Sequence, residues 1–283
     1  NGLSNPRSGV QDDKNHLRRT KIVYSKSQNH KNNKDENSMD KAYDSVDASI
    51  DGVFDGAVIA IGGFFSAGRP CELTKALARK GVKNLTIVVQ QVGTGNEEIL
   101  DLVKNSQMKK AICSYPFPRS ASKGADHAFE QAVRLGDIEV DVYPMGTFVE
   151  KLRCAGAGIP AFYTPTGAGT VVAEGKEKRI FNGREAILET ALPVDFAFIH
   201  AWKGDREGNL IYHDTAQNYN LAMAMAGKVT IAEVEFLFEP GELYGNCIHT
   251  PGVFVKRVVQ IAVSYTHLRA HETVLDLVCR LLL

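Results

Sequence analysis

The sequence predicts a three-layer α/β/α fold built on an open, mostly parallel sheet. Two observations carry that expectation. Between residues 57 and 143, short apolar runs alternate with amphipathic stretches of helix length. Those runs read as strands buried on both faces, which is the condition of a parallel sheet covered by helices on each side.

The elements follow in order. Ala57–Ile61 reads as a short strand that runs into a glycine-rich turn. Pro70 suits the first turn of a helix that continues to Lys80 and stops at Gly81. Leu85–Val89 is a second strand, and Glu97–Lys104 a helix whose acidic start and basic end complement its dipole. Lys110–Ser114 is the third strand, Asp126–Leu135 a helix closed by Gly136, and Glu139–Tyr143 the fourth strand. Thr147 and Glu150 form a T-x-x-E capping box for a helix over Phe148–Cys154. A loop spans Gly156–Thr170. Arg179–Phe181, Asn182-Gly183 and Glu185–Leu188 then read as a hairpin, since Asn-Gly supplies the two positive-φ residues of a type I′ turn. Phe196–Ala201, Val229–Val234 and Val253–Val259 are strands, with a helix at Leu221–Ala226. No internal repeat or Pro/Ser-rich linker interrupts residues 39–262, so one domain is expected there.

The bulk properties are those of a globular protein of 283 residues, 44% hydrophobic, with formal net charge +0. A neutral balance gives no electrostatic reason to expect nucleic acid or an anionic membrane as partner. No apolar run is long enough to span a bilayer. Cys71, Cys113, Cys154, Cys247 and Cys279 are scattered with no C-x-x-C pair. That spacing excludes a recognisable zinc site or disulfide framework and fits a reducing, cytoplasmic setting.

Both ends differ from the middle. Residues 1–38 are polar and lack apolar periodicity, with no Met before Met39. They read as a disordered arm or as translated upstream sequence. At the other end, Val263–Thr273 and Asp276–Leu283 back-translate to a transposase-type sequencing-library adapter in frame. Residues 263–283 are therefore expected to be an assembly artefact, and His267 and His271, four apart like metal ligands on a helix, are given no metal role.

The segment with most chemical content is Asp55-Gly56-Ala57-Val58-Ile59-Ala60-Ile61-Gly62-Gly63-Phe64-Phe65-Ser66-Ala67-Gly68-Arg69-Pro70. Glycines in a strand-to-helix turn let the backbone approach a ligand and turn successive N–H groups towards an anion. The segment is not a P-loop, because no Gly-Lys-Ser/Thr follows, and it is not G-x-G-x-x-G. The bare spacing G-G-x-x-x-x-G is shared by many turns without a ligand. A second block, Arg153–Thr170, contains Gly156-Ala157-Gly158-Ile159-Pro160-Ala161-Phe162-Tyr163-Thr164-Pro165-Thr166-Gly167. Further motifs are Phe181-Asn182-Gly183, Ala201-Trp202-Lys203 with Asp205, Gly208-Asn209, Asn218-Tyr219-Asn220 and Thr250-Pro251-Gly252.

Taken together, these segments resemble the alpha half of family I coenzyme A transferases over nearly all of 39–262. The resemblance implies an enzyme that moves CoA from an acyl-CoA to a free carboxylic acid, with short-chain acids such as acetate, acetoacetate or succinate as the usual substrates. It implies that a glutamate in a beta half attacks the thioester, giving an acyl-glutamyl anhydride and then a glutamyl-CoA thioester. The beta half is a separate chain or a fused domain, and such halves assemble as heterotetramers. CoA is a substrate, and no permanently bound cofactor or metal is implied. Carried over residue by residue, Gly62, Gly63, Phe64, Phe65, Ser66, Ala67 and Gly68 are the expected CoA-contacting residues. No catalytic nucleophile is assigned in this chain, because the beta-half motif Glu-Asn-Gly appears only as Glu36-Asn37-Ser38.

Two positions depart from the family pattern. Gln90-Gln91 stands where an Asn pair follows the second strand, and Pro144-Met145-Gly146-Thr147 where Pro-Gln-Gly-Thr follows the fourth. Methionine cannot donate the hydrogen bond that an amide side chain can. Gln90, Gln91 and Met145 are therefore the expected substrate-pocket residues, with Gln90 or Gln91 reaching into the gap.

Other chemical candidates read as structural. Lys203, Asp205, Arg206 and Glu207 are expected to form a solvated charged turn. His127, His200, His213 and His249 lack metal-ligand spacing. Cys154 beside Arg153 has no adjacent histidine to activate it. Trp202 and Phe162 are read as core or interface aromatics. Two rival functions remain: a sugar-phosphate isomerase or deaminase on a related fold, for which no acid–base set stands out, and a non-catalytic acyl-CoA sensor, which Met145 favours.

Overall fold

The computed structural model describes residues 40–92, 97–117 and 128–262. They fall in one compact unit, Ser38–Leu283, while a second unit, Asn1–Asn37, lies outside the described residues. The terminal segments 1–38 and 263–283, His127 and the start of the helix expected from Asp126 also lie outside them.

The described chain begins with strand β1 (Ala42–Tyr43) and a one-turn helix α1 (Val46–Ser49), capped by Ser45, whose Oγ accepts the Ala48 amide at 3.2 Å. Strand and helix then alternate: β2 (Val58–Ile61), α2 (Cys71–Lys80), β3 (Leu85–Val89), α3 (Glu97–Lys104), β4 (Met108–Cys113), α4 (Ala128–Leu135), β5 (Glu139–Val142) and α5 (Met145–Gly156). An antiparallel excursion follows through β6 (Ala161–Thr164), β7 (Lys178–Phe181) and β8 (Arg184–Thr190). The chain returns with β9 (Val194–Asp205), β10 (Leu210–Ile211), α6 (Asn220–Ala226), β11 (Gly227–Phe238) and β12 (Arg257–Gln260).

The main sheet has the order β1-β12-β11-β9-β2-β3-β4-β5, with every neighbouring pair on that path parallel. Only β10, antiparallel to β9, breaks the rule. Side chains along each strand alternate between faces, and both faces are apolar. On one, Ile59, Ile61, Ile87, Val89, Phe196 and Phe198 pack with Leu73 and Leu77 of α2, Leu102 of α3 and Phe129 of α4. On the other, Ala60, Val88, Ala197, Ile199 and Ala232 pack with Phe148 and Leu152 of α5 and Met223 of α6. The three-layer expectation holds for this physical reason.

The smaller sheet, β6-β8-β7, is antiparallel. Its hairpin turns on Asn182 (φ 50°) and Gly183 (φ 75°), with Phe181 paired to Arg184, as the Asn-Gly signal requires. A buried ion network ties this sheet to the main body. Glu189 of β8 receives Lys151 of α5 at 3.0 Å and also Lys176, and Lys151 lies 4.5 Å from the Tyr143 ring centroid.

Several boundaries depart from the sequence reading. The capping box at Thr147 and Glu150 does not form. Helix α5 starts at Met145 with Pro144 at its N-cap, so Thr147 sits inside the first turn, buried, and Glu150 pairs with Arg153. The proline, fixed at a φ suited to helix entry, wins over a side-chain cap further along. The loop expected over Gly156–Thr170 contains β6. The last strand is shorter than Val253–Val259, because Gly252–Phe254 forms a 3-10 turn before β12.

Candidate functional site

Gly62–Gly68 leaves the carboxyl end of β2 and turns back into α2. The Gly62 amide still bonds to the Phe198 carbonyl of β9 (2.9 Å), extending the sheet by one residue. Phe64 and Ala67 then exchange two backbone hydrogen bonds at 3.0 Å each, closing a tight two-residue turn over Phe65 and Ser66. Phe65 takes φ 49° and is 52% exposed, a left-handed conformation that a bulky side chain rarely adopts. Among the described residues, the N–H groups of Gly63, Phe65, Ser66 and Gly68 have no backbone acceptor. The loop is therefore a fixed frame that presents uncommitted donors.

What fixes it is the Asn218-Tyr219-Asn220 motif. Asn220 is fully buried, and its Nδ2 donates to the Gly68 carbonyl at 2.9 Å and the Ala216 carbonyl at 2.8 Å. Asn218 donates to the Ala67 carbonyl at 3.1 Å. The Tyr219 ring stacks on Phe64 with centroids 6.2 Å apart, and also meets Phe148 of α5. Glycine is required where the loop meets this clamp. A Cβ at Gly62 would lie 1.9 Å from Asn220 Oδ1, and one at Gly68 would lie 2.3 Å from the Ala216 carbonyl oxygen.

The three residues that depart from the family pattern lie along the same edge of the sheet. Strands β2 to β5 are neighbours, so the loop after β2, Gln90-Gln91 after β3, Ser114-Tyr115 after β4 and Met145 after β5 line up at successive carboxyl ends. Carboxyl ends of parallel strands are where open α/β sheets bind ligands. The Gln90 carbonyl accepts the Ser114 and Tyr115 amides, both at 3.1 Å. Its side chain is 1% exposed, yet neither amide atom finds a partner among the described residues, and the same is true of Ser114 Oγ and Thr147 Oγ1. Gln91 is also buried, while Met145 is 36% exposed.

The remaining candidates resolve as follows. The turn over Lys203–Glu207 is not a solvated charged turn throughout: Asp205 is buried and accepts the Glu207 and Asn209 amides at 3.0 and 2.9 Å and Asn209 Nδ2 at 2.8 Å. Asn209 in turn accepts the Gly252 amide, so Gly208-Asn209 and Thr250-Pro251-Gly252 form one structural latch. Lys203 stacks its ammonium 3.9 Å from the Trp202 ring centroid. Cys154 is buried, and burial, followed by the Glu150 charge, raises its thiol pKa, the opposite of an activated nucleophile. The cysteines among the described residues are free. Those residues hold no cluster suited to a metal ion and no helix long and apolar enough to cross a membrane.

Sequence reasoning passed over His200, which lies between Glu233 and Glu235 of β11. The signal was present: a histidine inside the apolar run Phe196–Ala201 and two glutamates of equal parity in and after Val229–Val234. Charges on the inward face of buried strands must pair.

The chain's relatives are CoA-transferase subunits. It is 43% identical to the alpha-type subunit of 3-oxoadipate CoA-transferase from Pseudomonas putida, over 79% of this chain and 95% of that one. It is also 43% identical to the alpha-type subunit of a probable succinyl-CoA:3-ketoacid coenzyme A transferase from Bacillus subtilis, over 78% of this chain and 90% of that one. Among solved structures it resembles glutaconate coenzyme A-transferase from Acidaminococcus fermentans, with a TM-score of 0.68 and 19% identity over 80% of this chain and 76% of that one. A decarboxylase, AibA/AibB, shares the fold as well, with a TM-score of 0.65 and 24% identity over 79% of this chain and 84% of that one. Fold alone therefore does not choose the chemistry, but residues 43–261 match the coenzyme A transferase family, and with relatives of this identity the chain belongs to it.

Proposed function

We propose that this chain is the alpha half of an acyl-CoA:carboxylate CoA-transferase, completed by a beta half that carries the nucleophilic glutamate. The observation that carries the reading is the Gly62–Gly68 loop, locked by Asn218 and Asn220 with four uncommitted amides at the carboxyl edge of the sheet. Such preorganised donors suit the negative charge of CoA or of a developing oxyanion.

The chemistry divides between the two halves. A carboxylate oxygen of the partner's glutamate attacks the thioester carbonyl, the C–S bond breaks, and CoA leaves as thiolate. The thiolate then attacks the glutamyl carbonyl of the resulting anhydride, releasing the first acid and leaving glutamyl-CoA. The acceptor carboxylate reverses both steps. This chain binds CoA and offers hydrogen bonds to the reacting oxygen, and it forms no covalent bond itself. The pair succinyl-CoA and a short-chain 3-oxo acid, drawn from the relatives' names, is the first to assay.

Gln90 and Gln91 supply the amide that Met145 cannot. A buried carboxamide without a partner, such as that of Gln90, costs about 1–3 kcal/mol, and a hydrogen bond to the substrate would offset that cost. In a complex with the beta half, the double substitution Gln90→Ala and Gln91→Ala is expected to lower kcat by roughly 100-fold or more, the usual effect of removing such a donor. A rate equal to wild type would reject the assignment.

A further inference from the structure

Beside the loop lies a buried charge cluster that the proposed chemistry does not use. His200 of β9 is 3% exposed, and Glu233 and Glu235 of β11 are 0% and 2% exposed. The two strands place Glu233 directly opposite His200. His200 Nδ1 lies 3.1 Å from Glu233 Oε1, and Nε2 lies 3.4 Å from Glu235 Oε1. A ring with a carboxylate at each nitrogen satisfies both only as the doubly protonated cation. Burial acts to lower the His200 pKa, but hydrogen bonds to Glu233 and Glu235, and their charges, prevail and raise it to about 9.

The cluster reaches the loop by two routes. The second oxygen of Glu233 accepts the Leu73 amide at 2.9 Å. Leu73 is the third residue of α2, and Pro70 at the N-cap offers no side chain to the orphan amides of that first turn. Glu233 therefore caps the helix from across the sheet. The His200 backbone amide lies 3.4 Å from Asn220 Oδ1, and Asn220 holds the Gly68 carbonyl. Both ends of the segment Gly68–Leu73, where the loop becomes helix, are thus tied to His200 and its partner. Apolar residues in place of a buried ion pair are often as stable or more so, so stability alone does not account for these charges.

We propose that His200 and Glu233 are positioning residues for the Gly62–Gly68 loop. The imidazolium orients the Glu233 carboxylate, the carboxylate fixes the first turn of α2, and that turn fixes the loop's exit from the sheet. The inference rests on the reading of the loop as the CoA contact. The other charged or titratable groups around the cluster are Arg69, Cys71 and Glu72 at the start of α2, and Glu98 of α3. Arg69 and Glu98 pair at 2.8 Å, and the Cys71 thiol is pushed up to about 12, chiefly by burial. Burial also raises the Glu233 pKa, against the pull of His200 and the Leu73 amide.

The folded-state pKa of His200, about 9, lies above its ordinary value of 6.5. The cluster's contribution is therefore complete below about pH 6.5 and is lost as pH rises through about 9.

Amide and imidazole NMR of the full chain, with CoA as probe, tests the proposal. The Leu73 amide shift is expected to follow the His200 ring nitrogens through one alkaline titration. Glu233→Ala is expected to speed Leu73 amide exchange by roughly tenfold or more and to weaken the CoA-induced shifts at Gly62–Gly68. Glu233→Gln, which keeps an oxygen for Leu73, is expected to recover most of that protection. A Leu73 amide indifferent to the His200 titration would overturn the positioning role, and the wild-type chain alone gives that result if Glu233→Ala does not fold. Lost Leu73 protection with unchanged CoA-induced shifts would instead overturn the CoA reading of the loop.

Discussion

Gly62→Ala is expected to destabilise the chain by about 3 kcal/mol and to cut CoA transfer by roughly 100-fold. The added methyl would sit 1.9 Å from Asn220 Oδ1 and 3.3 Å from the Phe198 carbonyl oxygen. Neither neighbour can yield cheaply. Phe198 belongs to the central strand β9, and Asn220 is committed through Nδ2 to Gly68 and Ala216. The loop must move instead, and a displacement of ~1 Å at a binding site can cost about two orders of magnitude in rate. The effect is specific to the clamp. Gly245→Ala, at a position with nothing within 4 Å of the added atom, is expected to leave stability unchanged. The double variant Gly62→Ala with Asn220→Ala is expected to be no less stable than Asn220→Ala alone, a non-additivity that marks direct contact. Thermal unfolding of the four variants checks this, and additive losses would show that the contact is not the cause.

Glu189→Ala is expected to cost about 3–5 kcal/mol, the usual consequence of leaving a buried charge without its partner. Lys151 is 4% exposed and Glu189 is 2% exposed. Removing the carboxylate strands the Lys151 ammonium between α5, β8 and the Tyr143 ring, while Lys176, itself only partly exposed, can turn to solvent. For a unit of this size the loss is on the order of 10 °C in Tm. The paired replacement Lys151→Met with Glu189→Leu removes both charges and is expected to regain most of the loss. If the double variant is as unstable as Glu189→Ala, the network acts through something other than its charges. The smaller sheet is where the damage should show first, because this network and the Leu192 amide on the Lys151 carbonyl join it to α5.

Much of this architecture was legible in the sequence, and the reasons are local. Leu85–Val89 and Glu97–Lys104 have the bounds their patterns suggested, because each pattern is closed by its own stop signals. Gly81 at φ 75° ends α2, and Asn182-Gly183 turns the β7–β8 hairpin, since both positions need a left-handed backbone. The Thr147 capping box misled because a capping pattern also occurs by chance inside a helix, and here Pro144 sets the start. Strand β1 is two residues long and pairs with β12, more than 200 positions away, so no local pattern announces it.

The candidate site was readable in part. The glycine loop stood out by composition, and Asn218-Tyr219-Asn220 by resemblance, but nothing in the spacing said that one clamps the other across about 150 residues. That relation exists only once β2 and β9 are neighbours. The same holds for His200 and Glu233, whose partnership is a matter of strand register. Asp205 was misread because a charged cluster in a turn is usually solvated, whereas this turn folds its own amides around the carboxylate.

The division of labour between an alpha and a beta half is the central claim, and intact mass spectrometry tests it directly. The chain would be co-expressed with a beta half that carries a Glu-Asn-Gly motif, incubated with an acyl-CoA alone, and both chains weighed under denaturing conditions. The account predicts a CoA adduct on the beta half, with this chain unmodified and no adduct formed when it is incubated by itself. An adduct on this chain, or CoA transfer by this chain without its partner, would contradict it.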